Sequence, residues 1–249
     1  MPFTLAHPAI VIPLRKTGIK LSLTGLIIGS MAPDLEFLLQ MREVESVGHH
    51  WYGILLFDVP IAILLSFLFH NLLRNKLLVN LPRAYRKRCI HLLDFNWNKY
   101  AMKNKGRLLL SFFIGILSHL AWDAFTHHDS LVVSQLPFLS ADIHFMHYTL
   151  PVYFSLQILC SLLGMAMVHQ QILSMPMISN CRETLRTDHH YWTTLILLSF
   201  ITITFRLVLW PEFNSFGGII IAIMGSILYS WILVSIFSKN NYSFKENKL

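Results

Sequence analysis

The sequence predicts an all-α bundle of membrane-spanning helices, and three observations lead to this fold class. Hydrophobic residues make up 54% of the 249 residues and charged residues only 13%, against about 25% charged residues in a soluble globular domain. Several apolar runs reach the roughly 18 residues that a helix needs to cross a bilayer. Lys and Arg are concentrated in every second segment between these runs, which is typical of polytopic membrane proteins. We therefore expect a single integral membrane domain over residues 1–249.

About six transmembrane helices are predicted, and they differ in regularity. In chain order they are residues 21–39, 54–73, 108–126, 151–169, 193–210 and 217–237. The first is the least regular, because Pro33, Asp34 and Glu36 interrupt its end. The last is an uninterrupted apolar run.

A short N-terminal half-helix is predicted before the first span. The apolar stretch from Pro2 to Leu14 is too short to cross a bilayer as a helix, at about 1.5 Å per residue. A helix over 8–16 and a helix over 21–33 would form an antiparallel hairpin with its turn at 17–20. The open end of this hairpin would bring His7 near Asp34.

The distribution of basic residues predicts the orientation of the bundle. Residues 74–107 contain ten Lys and Arg, whereas the loops 40–53, 127–150 and 211–216 together contain only Arg42. Because cytoplasmic loops collect Lys and Arg, we expect a multi-pass protein of the inner cell membrane with its basic loops and C-terminus in the cytoplasm. The net charge of +7 then reflects topology. The expected partner is the lipid bilayer, and no nucleic-acid partner is expected.

Ionisable residues at helical spacing mark a candidate metal site on the non-cytoplasmic side. His119, Asp123 and His127 are each four residues apart and therefore share one face of a helix. Imidazole and carboxylate groups are the usual ligands of zinc and of other divalent transition metals. We expect zinc, with manganese or iron as alternatives. The predicted metal ligands are His7, Asp34, His49, His119, Asp123 and His127.

The same residues also suit two roles that need no catalytic metal. A stripe of His and Asp in a membrane helix can form a proton or metal-ion relay, or a polar seam between packed helices. A weaker stripe, His50, Ile54 and Asp58, repeats the spacing on the next span. Arg206 lies in the outer part of its span, where we expect a structural salt bridge with the carboxylate cluster or, alternatively, a contact with an anionic substrate.

Five sequence blocks resemble a bacterial family of membrane proteins, domain of unknown function 4184. The blocks are MPFTLAHPAIVIPL, GSMAPDLEFLL, GHHWYGILLFDVP, SHLAWDAFTHHDS and PVYFSLQ, in this order within residues 1–165. The resemblance implies a family-like metal-site core over 1–165, followed by C-terminal transmembrane helices over 166–249. The blocks are also distantly similar to membrane-bound predicted metal-dependent hydrolases.

A more remote similarity is to zinc-dependent phospholipase C, an all-α enzyme with three metals. That enzyme is secreted and uses its N-terminal tryptophan as a ligand, whereas this chain begins with Met1. Its downstream His-x3-Glu has no counterpart here, because His144 and His147 are followed at the fourth position by Tyr148 and Pro151.

Together these features predict a metal-dependent membrane hydrolase. Metal-bound hydroxide would attack an ester, such as a lipid phosphoester. Asp34 and Glu36 are the predicted catalytic residues: Asp34 or Asp123 would ligate or bridge the metal, and Glu36 or an unused histidine would act as general base. Two alternatives belong to other classes: a proton or metal-ion carrier, and a non-catalytic membrane assembly protein.

Overall fold

The computed structural model describes residues 3–44, 47–128, 130–145, 148–178 and 188–238, and this part of the chain is mainly helical. The predicted cytoplasmic C-terminal tail from residue 239 onward, and His147, lie outside the described residues. The helices are α1 (Pro8–Val11), α2 (Leu23–Gly29), α3 (Leu35–Gln40), α4 (Ile54–Asn80), α5 (Arg83–Cys89), α6 (Trp97–Lys103), α7 (Lys105–Asp123), α8 (Leu131–Gln135), α9 (Pro137–Ser140), α10 (Val152–Leu173), α11 (His189–Leu209) and α12 (Phe216–Phe237).

Short 3-10 turns and one small hairpin complete the structure. The 3-10 turns are Thr4–Ala6, Ile12–Lys16, Val47–His49, Ile90–Asp94 and Pro211–Phe213. Strands β1 (Asp142–Phe145) and β2 (Tyr148–Pro151) pair antiparallel, with Asp142 opposite Pro151. The hairpin was not predicted from the sequence, and it leads directly into α10.

Four helices, α4, α10, α11 and α12, are long and apolar enough to cross a membrane, with 27, 22, 21 and 22 residues. The mean hydropathy of their most apolar 18-residue segments lies between 1.6 and 2.3. Only 6% to 39% of each of these segments is buried inside the protein. Apolar surface exposed on this scale requires an apolar surrounding. The fold therefore supports an integral membrane protein.

The first predicted span, 21–39, is not one continuous helix. It consists of α2 and α3, separated by a turn over residues 30–34. Pro33 within this turn has no backbone N–H to continue a helix. The predicted span 108–126 corresponds to α7, which begins at Lys105, ends at Asp123 and is not among the four membrane-length helices. The described residues thus contain four such helices rather than six.

Small residues allow α2 and α7 to pack closely. A Cβ atom added to Gly29 would lie 2.5 Å from the carbonyl oxygen of Phe112, and one added to Gly115 would lie 2.6 Å from that of Leu26. The two backbones are therefore nearly in contact. Around them, a buried apolar cluster joins α2, α4, α6 and α7; it contains Ile28, Ala32, Val59, Ala62, Trp97, Ala101, Leu108, Phe112 and Ile116.

The N-terminal segment and the C-terminal helices enclose this core from two sides. The N–H of Phe3 donates to Ser161 Oγ on α10 at 2.9 Å, and Gly164 of α10 lies against Ala6. On the other side α12 packs against both α11 and α3. Residues 4–14 are therefore held between α10 and the core, although they form short turns rather than one regular helix.

Arg206 has a different role from the one expected. Its side chain is 1% exposed and donates through Nε to the carbonyl of Met41 at 2.6 Å and through Nη2 to that of Phe213 at 3.0 Å. It also contacts the side chain of Asn214. Arg206 thus ties the end of α11 to the loop after α3, through carbonyl groups rather than through a salt bridge to the carboxylate cluster.

Candidate metal centre

Four side chains from three separate segments converge at one end of α7. Asp34 ends the turn between α2 and α3, His49 ends the 3-10 turn Val47–His49, and His119 and Asp123 lie on the last two turns of α7. One donor atom from each side chain can be chosen so that all four lie within 4.8 Å of one another. Such a group of two imidazoles and two carboxylates could hold a metal ion.

The distances between these donor atoms fit the edges of a metal-centred tetrahedron. Nε2 of His119 lies 3.4 Å from Asp34 Oδ1 and 3.3 Å from Asp123 Oδ2. Nε2 of His49 lies 3.5 Å from Asp123 Oδ2, 3.8 Å from Asp34 Oδ1 and 3.4 Å from His119 Nε2. Zinc bonds of about 2.0–2.2 Å would place tetrahedral ligands about 3.3–3.6 Å apart. Five of the six edges thus lie between 3.3 and 3.8 Å, close to the spacing that such an ion needs, and the edge between the two carboxylates is within 4.8 Å.

A backbone carbonyl orients His119. Its Nδ1 lies 2.8 Å from the carbonyl oxygen of Ser30, and a carbonyl can only accept, so Nδ1 must carry the proton. In the neutral ring, the lone pair of Nε2 would then face the other three donors, which is the usual arrangement of a metal-binding histidine. The close contact between Gly29 and α7 brings the Ser30 carbonyl to this position.

His7 lies directly behind His119. The two rings stack with centroids 3.9 Å apart and an interplanar angle of 23°. Nε2 of His7 is 3.7 Å from Asp123 Oδ1 and 3.9 Å from Asp34 Oδ2. Burial, together with the neighbouring His119, lowers the pKa of His7 to about 3, so its imidazole is neutral. The N-terminal hairpin was predicted to bring His7 near Asp34, and Nε2 of His7 does lie near Asp34 Oδ2.

His127 stands at the edge of the cluster. Its Nδ1 contacts the backbone carbonyl of Asp123 at 3.0 Å and lies 3.7 Å from Asp123 Oδ2. Nε2 has no hydrogen-bond partner among the described residues, and burial lowers the pKa of this imidazole. The side chains of His127 and His49 are 32% and 24% exposed, so the cluster opens to its surroundings beside these two residues.

Glu36 contacts the loop that carries His49. Its Oε2 accepts from the N–H of Gly48 at 3.1 Å, and its Oε1 accepts from the side chain of Gln40. Gly48 itself allows a close approach, because an added Cβ would lie 2.7 Å from Asp58 Oδ1. Through these contacts Glu36 positions the backbone of Gly48 and His49.

The structure separates the residues of the two histidine pairs. His49 and His127 face the cluster, whereas His50 and His128 are exposed. His50 stacks on Tyr52 with ring centroids 5.2 Å apart, so it does not share a site with Asp58. Asp58 is fully buried, and neither of its oxygens has a hydrogen-bond partner in the described structure.

Two contributors to the site were not predicted from the sequence. Thr4 Oγ1 donates to Asp34 Oδ2 at 2.7 Å, and the Ser30 carbonyl accepts from His119. No side-chain pattern could indicate Ser30, since it acts through its backbone. Thr4 lies three residues before His7, and this short spacing was the only available signal.

Three of the four carboxylate oxygens of the cluster are buried without a hydrogen-bond partner among the described residues. Asp34 and Asp123 are 0% and 5% exposed. Asp34 Oδ1 and both oxygens of Asp123 have no hydrogen-bond partner among the described residues. The ion pairs formed by these two carboxylates within the described part of the chain all involve histidines. Buried carboxylates are normally paired or bound to a metal, and the converging histidine nitrogens fit the second case.

Sequence comparison identifies the family. No curated protein sequence and no solved structure shows significant similarity to the chain. The family model described as domain of unknown function (DUF4184) matches residues 1–236, which include every residue of the cluster and nearly all of the four membrane-length helices. The chain therefore belongs to the DUF4184 family.

Proposed function

We propose that this protein is a metal-dependent membrane hydrolase whose active site is the cluster of Asp34, His49, His119 and Asp123. The observation that carries the proposal is the convergence of two histidine nitrogens and two buried carboxylate oxygens, all within 4.8 Å of one another. A bound divalent cation would act as a Lewis acid and lower the pKa of a water molecule to about 7. Ester hydrolysis at neutral pH is the chemistry that this supports.

The surroundings of the cluster favour a lipid substrate. The open side carries His49 and His127, and exposed apolar side chains lie close to it in the chain. Trp51 follows His49 by two residues and is 83% exposed, and Phe125 follows Asp123 by two residues and is 49% exposed. Residues of this kind suit the boundary between membrane and water. A lipid phosphoester would place its headgroup at the cation and its chains along the apolar helices.

Among the candidates for the general base, the contacts favour His127 over Glu36. His127 lies at the edge of the cluster and has a buried Nε2 without a hydrogen-bond partner among the described residues, whereas both oxygens of Glu36 accept hydrogen bonds within the protein. A base must reach the proton that it removes. In this proposal Asp34, His49, His119 and Asp123 bind the cation, zinc first among the candidates, and Glu36 positions the loop of His49.

The proposal includes a location. The helix α7 and the broken pair α2–α3 would complete a bundle of six segments within the inner membrane. The cluster would lie near its non-cytoplasmic face, because the basic residues of 74–107 are found at the other ends of α4 and α7.

The first test is metal content. The protein purified in detergent is expected to contain at least one equivalent of a transition metal by mass spectrometry, and His119→Ala and Asp123→Ala are expected to lose it. His50→Ala and His128→Ala are matched controls that should retain it, since both histidines are exposed. A folded wild-type protein that stays metal-free after incubation with zinc, manganese and iron would end the hydrolase proposal.

The second test is catalysis. The metal-loaded protein would be assayed with a chromogenic phosphodiester, a carboxylic ester and phospholipid vesicles. We expect hydrolysis of at least one, inhibited by chelation and strongly reduced in His127→Gln with the metal retained. Metal binding without hydrolysis of any ester class would contradict the enzyme and favour a carrier or a non-catalytic protein.

One observation favours the carrier as the second candidate. Asp58 is buried near the cluster, has no hydrogen-bond partner among the described residues, and lies on α4. His70 is twelve residues further along the same helix, about 18 Å away. In proteoliposomes a carrier would move protons or metal ions, and Asp58→Asn would stop this movement while the hydrolase would be unaffected.

A further inference from the structure

The two aspartates of the cluster present oxygens on two sides. Asp34 Oδ1 and Asp123 Oδ2 face His49 and His119. Asp34 Oδ2 and Asp123 Oδ1 face Nε2 of His7, at 3.9 Å and 3.7 Å. A carboxylate can bridge two metal ions by binding one ion through each of its oxygens. Here two such carboxylates stand side by side.

His7 is buried without the contacts that would account for its burial. It is 0% exposed, and neither ring nitrogen has a hydrogen-bond partner among the described residues. Buried side-chain nitrogens nearly always have a partner. The ring is fixed by its stacking on His119 and by an edge contact with Trp122, with centroids 5.5 Å apart. Its Nε2 is therefore held towards Asp123 Oδ1 and towards Asp34 Oδ2, which also accepts from Thr4 Oγ1.

The stacking distance predicts the separation of two ions. The rings of His7 and His119 are nearly parallel and 3.9 Å apart, and each directs Nε2 towards the same pair of carboxylates. Ions bound in the same manner by two parallel imidazoles would be separated by a similar distance. Two-metal hydrolytic sites have separations of about 3.5–4 Å.

We propose that the protein binds two divalent cations, bridged by Asp34 and Asp123, and that His7 binds the second one. This inference rests on the proposed function, since the first donor set must bind a metal too. The first cation has four protein donors, so it would bind water only as a fifth ligand. The second has three, from His7, Asp34 and Asp123, and so keeps a coordination position for water or for a phosphoester oxygen.

The number of bound ions tests the inference directly. The full-length protein in detergent would be loaded with Mn²⁺, freed of excess ion by gel filtration and analysed for manganese by mass spectrometry. We expect two equivalents per chain in the wild type and one in His7→Phe. Phenylalanine keeps the stacked ring but has no ligand nitrogen. His50→Phe, at an exposed position, is the matched control and should keep two.

Electron paramagnetic resonance gives a second readout that does not depend on activity. Two Mn²⁺ ions about 4 Å apart are magnetically coupled, so the wild-type spectrum should show coupling and that of His7→Phe should show an isolated ion. If His7→Phe does not fold, the wild-type spectrum alone decides between a coupled pair and a single ion.

The outcomes separate this inference from the proposed function. One uncoupled equivalent in the wild type, lost in His119→Ala, would overturn the second cation and leave the first site intact. Two equivalents in both the wild type and His7→Phe would overturn the assignment of His7. No bound metal in the wild type would overturn both.

Discussion

The substitution Gly115→Ala tests whether the close packing of α2 and α7 sets the geometry of the metal centre. The added Cβ would lie 2.6 Å from the carbonyl oxygen of Leu26, 2.7 Å from the backbone nitrogen of Ser30 and 2.9 Å from the carbonyl carbon of Gly29. Ordinary contacts begin near 3.4 Å. The two backbones must therefore separate locally by about 0.8 Å, the difference between 3.4 and 2.6, and neither backbone can rotate away as a flexible side chain could.

The same displacement reaches the metal centre through Ser30. The Ser30 carbonyl holds His119 by a contact of 2.8 Å, and His119 lies four residues after Gly115 on the same face of α7. A separation of this size breaks the hydrogen bond. Loss of a hydrogen bond that orients a metal-binding histidine typically weakens metal affinity about 10- to 100-fold. Overpacking should also lower the free energy of unfolding by about 1–3 kcal/mol.

Gly106→Ala is the matched control on the same helix. A Cβ at Gly106 meets no atom within 4 Å, so alanine there should leave metal affinity unchanged and should stabilise the helix by at most about 1 kcal/mol. Affinity is measured by competition with a chromogenic chelator, and stability by thermal unfolding in detergent. Wild-type affinity and thermal stability in Gly115→Ala would refute the argument that helix packing positions His119.

Two further substitutions and two reporter fusions probe the loop of His49, the anchor at Arg206 and the orientation in the membrane. Gly48→Ala should lower metal affinity by about tenfold or more in the same competition assay. The added Cβ would lie 2.7 Å from Asp58 Oδ1 and displace the loop of His49. Unchanged affinity would mean that this loop can shift without disturbing the site. Arg206→Met should lower thermal stability, since each carbonyl left without its donor costs about 1–3 kcal/mol. Metal content should stay unchanged in this variant. Loss of metal would show that Arg206 supports the cluster. A fluorescent protein fused to the C-terminus should fluoresce in the cytoplasm, and alkaline phosphatase inserted in the loop 127–150 should be active outside it; the reverse pattern would contradict the predicted orientation.

The sequence predicted which side chains converge better than it predicted the helices. The spacing of His119 and Asp123 placed both on one face of α7, and the blocks around Asp34 and His49 indicated further donors that the structure brings together. The first span was wrong as a continuous helix. Hydropathy does not reveal the turn over residues 30–34, which contains Pro33 and places Asp34 beside His119. The backbone contact of Ser30 depends on helix packing, which has no side-chain signature.

The charges of the cluster distinguish a bound cation from a polar seam between helices. Asp34 and Asp123 are almost fully buried, so a seam would need protonated histidines to balance them. Nε2 of His119 lies 3.4 Å from Asp34 Oδ1 and 3.3 Å from Asp123 Oδ2, but one protonated imidazole would balance only one of the two carboxylates. Nε2 of His49 and Nε2 of His119 are only 3.4 Å apart, and two protonated rings at this distance would repel each other. One divalent cation offsets both carboxylates and leaves the imidazoles neutral, which is the form that binds metal.

The consequence can be measured by removing the metal. Chelation would leave two adjacent buried carboxylates without a cation, at a cost of about 3–5 kcal/mol for the broken pair. We expect the thermal unfolding temperature of the wild type to fall on chelation. In the double variant Asp34→Asn with Asp123→Asn, which keeps the shape of both side chains but removes their charges, chelation should have no effect. A wild type that is indifferent to chelation, together with a double variant of equal stability, would show that the histidines alone compensate the carboxylates and that the cluster is a packing seam.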